Sequence, residues 1–206
     1  MPGKKESEEL RREQIIQAAF RVAVRTGLEQ LTIRLVAAEA GLSTGLVFFH
    51  FESKETLLLA LLDWLLDSLF EYWETPDDVS PTEGLLILLQ TDLQDTQLSD
   101  LQDMEQSAQA GTRLQLFFAY WAMAVHHPLI SERIRHAIER SWQTFLPAVQ
   151  ALINSNPQRF QQVTPEGLVT VMLAIAQGCA MQSLLSTPRV DVEQILAAVR
   201  ALLISY

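Results

Sequence analysis

Lys4, Lys5, Arg11 and Arg12 sit at the front of an amphipathic run, where cationic side chains either reach phosphates or are simply solvated surface charges. Shortly after them comes the stretch LTIRLVAAEAGLSTGLVFFHFESKETL, residues 31–57, which reads as two short helices joined by a tight turn and followed at once by a longer apolar helix. Two helices this short bury no core of their own. Crossed against a third they form a helix-turn-helix, whose second helix enters the DNA major groove. Other chemistries find little material. There is no Gly-rich phosphate loop, no nucleophile elbow and no Glu-x-x-His pair; Glu132 and His136 stand four apart, and the four histidines form no recognisable ligand set. No enzyme activity, metal site or cofactor is expected.

The local signals that position this head are specific. Thr32 is placed to cap the first short helix, with Val36, Ala37 and Ala40 on its inner face, and Gly41 stands where a helix end calls for a left-handed residue. Ser43 caps the second helix and Ser53 the next one. Before them, residues 9–26 place Ile15, Ala18, Ala19, Val22 and Ala23 at helical spacing, and Gly27 closes that run. Residues 1–8 are polar and expected to fray.

The chain has 206 residues and a formal net charge of −10, which is unusual for a nucleic-acid binder until it is divided. Residues 1–55 hold eight Lys/Arg and eight Asp/Glu, so the whole deficit lies in the remainder. An acidic body behind a neutral head orients the head toward DNA. The single cysteine, Cys179, allows no intramolecular disulfide and suits a reducing compartment. The N-terminus lacks an apolar signal segment, and the greasiest run, residues 57–70, is broken by Asp63 and Asp67 and too short to span a bilayer. A soluble, cytoplasmic protein with no membrane partner is expected.

The fold class expected is all-α: an N-terminal three-helix helix-turn-helix domain (residues 1–56) joined by a long helix to a helical ligand-binding and dimerisation domain (residues 57–206). The long helix runs from Ser53 to about Tyr72. Ser80-Pro81-Thr82-Glu83 opens another, continuing to about Leu93, and residues 94–111 read as a polar, variable segment holding a short amphipathic helix around Leu98, Leu101 and Met104. Further helices are expected over residues 113–125, 129–154, 164–185 and 191–205, the last two opened by caps at Thr164 and Asp191. Pro147 should kink or divide the second of these.

The head and the helix order after it resemble the TetR family of bacterial transcriptional regulators. The residues that carry the resemblance are Thr32-Ile33-Arg34, Ala37, Ala40-Gly41-Leu42-Ser43, Gly45, Phe48-Phe49-His50-Phe51 and Ser53-Lys54-Glu55-Thr56-Leu57. The resemblance implies a homodimer on a palindromic double-stranded DNA operator, acting as a repressor and released by a small-molecule effector. It also implies a DNA-binding set of Thr32, Arg34, Ser43, Thr44, Gly45, Leu46, Phe48, Phe49, His50 and Lys54. Thr32, His50 and Lys54 would hold phosphates, Arg34 would reach a base edge or the backbone, and Gly45 would let the recognition helix approach the groove closely. Two positions depart from the family's pattern. Phe48 stands where tyrosine is usual and lacks the hydroxyl that bonds a phosphate, and Glu52 replaces a neutral or basic residue. Together they imply weaker backbone anchoring or an altered register. Core packing is the alternative reading for Phe48, Phe49 and Phe51, and the favoured one for Phe51.

In the body, residues 164–185 are apolar around nearly the whole helix, which calls for cover, either by a partner chain, as the resemblance implies, or by an ordinary monomeric core. The expected dimer interface is Val171, Ala174, Ile175, Gly178, Met181 and Gln182, with Ile195, Val199 and Leu202 from the last helix. Trp64, Met104, Phe117, Trp121 and Trp142 are candidate lining for a hydrophobic or amphipathic ligand, although such aromatic stripes more often build core. Arg113, Arg133 and Arg135 are candidate partners for an acidic head group. The alternative reading is a ligand-binding or protein-interaction module with a degenerate DNA-binding head.

Overall fold

The computed structural model describes residues 3–69, 80, 83, 86, 87, 89, 90, 104–184 and 191–203. Among these residues there are eight helices and no strand: α1 (Gly3–Thr26), α2 (Ile33–Ala40), α3 (Thr44–His50), α4 (Lys54–Leu69), α5 (Met104–Ala124), α6 (Pro128–Ser155), α7 (Pro165–Leu184) and α8 (Val192–Leu203). The chain forms two compact units. One holds the described residues up to Leu69 together with Gln115–Ile134; the other holds those of Phe70–Leu114 and Arg135–Tyr206. No single helix among the described residues is long and apolar enough to cross a membrane.

In the first unit α1 packs on α2 and α4, and α2 packs on α3. The periodic residues of α1, Ile15, Ala18, Ala19 and Val22, are fully buried, as are Leu31, Val36, Val47, Leu57, Leu61, Leu62 and Leu65. Short helices of this kind draw their stability from such shared burial rather than from their own hydrogen bonds. Tyr120 of α5 is also fully buried, and its hydroxyl donates to the Leu58 carbonyl at 2.8 Å, tying α5 to α4. Burial, with the Asp63 charge adding to it, pushes this phenol well above its ordinary range, so it stays a neutral donor.

In the second unit Phe145, Val149 and Leu152 of α6, Val169, Met172, Leu173 and Ala176 of α7, and Val192, Leu196 and Val199 of α8 share one core with Leu86, Leu89 and Phe160. Each cap read from the sequence is made: Ser80 accepts from the Glu83 amide, Thr164 from Gly167 and Asp191 from Gln194. Burial raises the Cys179 thiol above its ordinary value, which disfavours the reactive thiolate.

Four boundaries correct an expectation, decide between two or leave the described region. α1 begins at Gly3, so the charged front is helical rather than frayed. α5 reaches back to Met104, through residues expected to be polar and variable; Glu105, Gln106, Ala108, Gln109 and Ala110 are good helix formers, and Gly111 alone costs only about 1 kcal/mol. α6 runs through Pro147 as the helix expected over residues 129–154, so of the two expected outcomes division does not occur. Phe145 and Val149, both fully buried on either side of Pro147, hold the helix on the core strongly enough to offset a proline cost of about 3 kcal/mol. The expected stretch beyond Leu69 to Tyr72, Leu98 and Leu101 lie outside the described residues.

Candidate nucleic-acid interface

The turn between α2 and α3 is built from three local devices. Thr32 has extended backbone and its hydroxyl accepts from the Leu35 amide at 3.2 Å; Ser43 does the same for Leu46 at 3.2 Å. Between them Gly41 takes a left-handed conformation, φ 67°, and Leu42 N donates to the Ala37 carbonyl at 2.9 Å, closing α2. The chain bends by 106° from α2 to α3. That value falls within the 90–120° of a helix-turn-helix. Val36 and Ala37 are buried as expected, and Ala40 is half-buried. Ser53 then starts α4 with a reciprocal pair: its hydroxyl accepts from the Thr56 amide at 3.1 Å, and the Thr56 hydroxyl accepts from the Ser53 amide at 3.0 Å.

Most of the expected DNA-binding set lies on the surface. Thr32, Arg34, Ser43, Thr44, Gly45, Phe48 and Phe49 are exposed, and Leu46, His50 and Lys54 are half-buried. Phe49 is the most exposed large apolar residue of the head at 74%, with Phe48 at 50%, whereas Phe51 is a core residue at 2%. The three phenylalanines of this stretch therefore do different work. A Cβ added at Gly45 would meet only the Ser43 hydroxyl, at 4.0 Å, so nothing inside the described chain demands glycine there.

The cations are less free than their sequence positions suggest. Arg12 donates to the His50 carbonyl at 2.7 Å and lies 4.4 Å over the Phe51 ring, fastening the end of α3 to α1. Arg11 bonds Gln14, and Gln14 in turn donates to the Ala40 carbonyl at the end of α2. Lys54 donates to the Glu29 carbonyl at 2.8 Å, leaving two of its three protons for another acceptor. Arg21 and Arg25 both pair with Glu39, at 2.8 and 3.0 Å, and those two bonds hold the Glu39 carboxyl below its ordinary range. Arg34 is exposed with no intramolecular polar contact among the described residues. The Arg12–Phe51 and Lys54–Glu29 contacts join positions 39 and 25 apart, and no local pattern announces them.

The chain matches the family model for bacterial regulatory proteins of the tetR family over residues 15–61, and that for the C-terminal part of BetI-type transcriptional repressors over residues 98–205. The second match covers more than half of the chain. This chain belongs to the TetR family. Among its relatives are an HTH-type transcriptional regulator BetI from Stenotrophomonas maltophilia, 30% identical over 61% of this chain and 60% of its own length, and one from Ectopseudomonas mendocina, 23% identical over 90% and 87%. The chain thus spans about three fifths of the first of these. Solved structures show the same fold: a TetR transcription regulator from Haloarcula marismortui at TM-score 0.72 and 24% identity, covering 91% of this chain and 93% of that one, and a transcriptional regulator from Saccharomonospora viridis in complex with choline at 0.68 and 20%, covering 93% and 94%.

The remaining expected sites distribute as follows. On α7, Val171 and Met181 are 53% and 55% exposed, Ala174 and Gln182 are exposed, and Ile175 and Gly178 are half-buried. On α8, Leu202 is 73% exposed and Ile195 half-buried, but Val199 is buried in the core of its own chain. Of the aromatic set, Trp64, Phe117 and Trp121 belong to the first unit, where Trp64 packs edge-on against Phe20 at 5.3 Å and Phe117 against Trp121 at 5.6 Å. Trp142 packs on the core of the second unit, and Met104 is in that unit's part of α5. Arg133 pairs with Asp63 at 2.8 Å and Arg135 with Glu139 at 3.3 Å, so neither waits for an acidic ligand. A cleft of about 400 Å³ that no sequence signal marked lies in the first unit, lined by Leu28, Glu29, Leu58, Met123, His127 and Ile130 among others.

Proposed function

We propose that this chain is a ligand-responsive transcriptional repressor that binds a palindromic operator as a homodimer and is released by a hydrophobic or amphipathic effector. The observation that carries the reading is the 106° bend between two capped helices, with Thr44, Gly45, Phe48 and Phe49 exposed on the second. Thr32 and Arg34 at the front of α2, and His50 and Lys54 at the exit of α3, are the proposed backbone contacts, with Arg34 also within the class of residues that read guanine. The cell compartment that fits is the one holding DNA.

The dimer is proposed to form through one mostly apolar face of α7, with Val171, Ala174, Met181 and Gln182 exposed and Ile175 and Gly178 half-buried, together with Ile195 and Leu202 of α8. Val199 supports that surface from behind. Effector binding is proposed to act through α4, which begins four residues after α3 ends. Two heads on one duplex face must stand about 34–36 Å apart, so a displacement of a few ångströms suffices to prevent simultaneous docking. Trp64, Phe117 and Trp121 of the first unit are the proposed ligand-facing candidates, and Trp142 is a separate one in the second unit. Choline, held by the Saccharomonospora protein, is one compound to test, being a quaternary ammonium cation of the kind that aromatic rings can hold.

The deciding experiment is binding to random duplex as a function of salt. A working head gives log affinity falling linearly with log salt, with a slope close to the number of phosphates neutralised. A flat response rejects DNA binding and leaves the body as a ligand-binding module.

A further inference from the structure

We propose that α3 reads its operator through thymine 5-methyl groups packed against the rings of Phe48 and Phe49. This inference rests on the DNA-binding reading above and specifies what the head recognises. The seven residues of α3, TGLVFFH, include none of the side chains that pair bidentately with guanine or adenine or accept from cytosine: no Arg, Lys, Asn, Gln, Asp or Glu. Its exposed surface is Thr44, Gly45, Phe48 and Phe49, since Val47 is buried and Leu46 and His50 are half-buried. Thr44 with Phe48, and Gly45 with Phe49, are four apart and form two adjoining rows on one side of the helix. That side offers two phenyl rings and a threonine methyl.

Phenylalanine has no hydroxyl, so neither ring has a hydrogen bond to offer a phosphate or a base. Two rings exposed to 50% and 74% on one turn are unfavourable in water and find relief only against another apolar surface. Among the base edges of the major groove, the thymine methyl is the apolar group, and threonine and phenylalanine are side chains suited to it. Two further features fit. The His50 ring stands edge-on to Phe49, centroids 5.2 Å apart and planes at 89°, which restrains the phenyl before DNA arrives. One turn earlier, the space beside Gly45 is open to within 4.0 Å of the Ser43 hydroxyl, so the helix backbone can approach the base edges on which the rings would rest.

The test uses the full chain and a randomised duplex pool, selected for binding at one fixed salt concentration. Enriched duplexes are then remade with deoxyuridine replacing thymidine one position at a time, which keeps the base pairing and removes only the methyl. Thymine is expected at two or more positions of each half-site, and each contacted position should lose about fourfold in affinity on substitution, the effect of exposing one methyl-sized apolar group. In Phe48→Ala or Phe49→Ala that sensitivity should vanish at the matching positions; both residues are exposed, and circular dichroism melting confirms that each variant is folded. Affinity unchanged by deoxyuridine at every position, in a protein that still binds its selected duplex, overturns the thymine-methyl inference alone. No enrichment together with no salt-dependent binding to random duplex overturns the DNA-binding reading, and this inference with it.

Discussion

Gly45→Ala separates folding from recognition because its two expected effects have opposite signs. Glycine within a helix costs roughly 0.5–1 kcal/mol relative to alanine through its greater freedom in the unfolded chain, and a position this near the helix start should lie at the lower end. The new methyl group meets nothing closer than the Ser43 hydroxyl at 4.0 Å, and Gly45 is not among the residues with positive φ. The variant should therefore be more stable, by about 0.5 kcal/mol, with a higher urea midpoint and an unchanged slope. If α3 lies with its backbone against base edges, the same methyl is overpacked in the complex, where such misfits cost about 1–3 kcal/mol, a loss of roughly five- to 150-fold in affinity. Fluorescence anisotropy with a selected duplex, at one salt concentration for both proteins, measures that loss. A stabilised variant that binds DNA as tightly as the parent would refute the placement of Gly45 in the groove. A destabilised one would show that the space beside it is not open.

The other expectations concern the tethers and the assembly surface. Arg12→Ala removes a charge-assisted bond to the His50 carbonyl and a contact with the Phe51 ring; because Arg12 is exposed, the loss should be about 1 kcal/mol in chemical denaturation, with Arg12→Lys restoring only part of it. Glu39 has its carboxyl lowered by bonds from Arg21 and Arg25, so its contribution is present above the unfolded carboxyl value and lost as pH falls through the lower folded one. Thermal melts of the parent and Glu39→Gln should accordingly be separate at neutral pH and begin to converge once the pH falls below the unfolded glutamate value of about 4.3. Met181→Lys places a charge within the mostly apolar face of α7 and should shift sedimentation from dimer toward monomer, while circular dichroism stays helical. A monomeric parent would remove the basis for that expectation.

The architecture of the head was legible because its signals are local. A hydroxyl at Thr32, Ser43 or Ser53 finds the amide three residues on, and Gly41 relieves a backbone clash that is the same in any protein. The apolar spacing of α1 and the caps of α7 and α8 were readable for the same reason. Helix interiors that break a local rule were not. Gly111 and Pro147 are carried inside α5 and α6, in α6 by the burial of Phe145 and Val149, a cost and a gain that no short window compares.

The candidate site divides along the same line. Residue types alone determined that a recognition helix without Arg or Lys sits behind a charge-balanced front, and that one helix of the body is too apolar to stand uncovered. Only tertiary structure decided which of those residues remain available. Phe48, Phe49 and Phe51 are neighbours in sequence, yet 100° steps around α3 and the chain's exit from it put two on the surface and one in the core. Arg12 and Lys54 have the chemistry to meet phosphate, but contacts 39 and 25 positions away engage them within the head itself. Val199 follows the same apolar period as Leu202, and the packing of α8 buries one while exposing the other. Helix periodicity identifies a face; what that face meets depends on where distant segments come to rest.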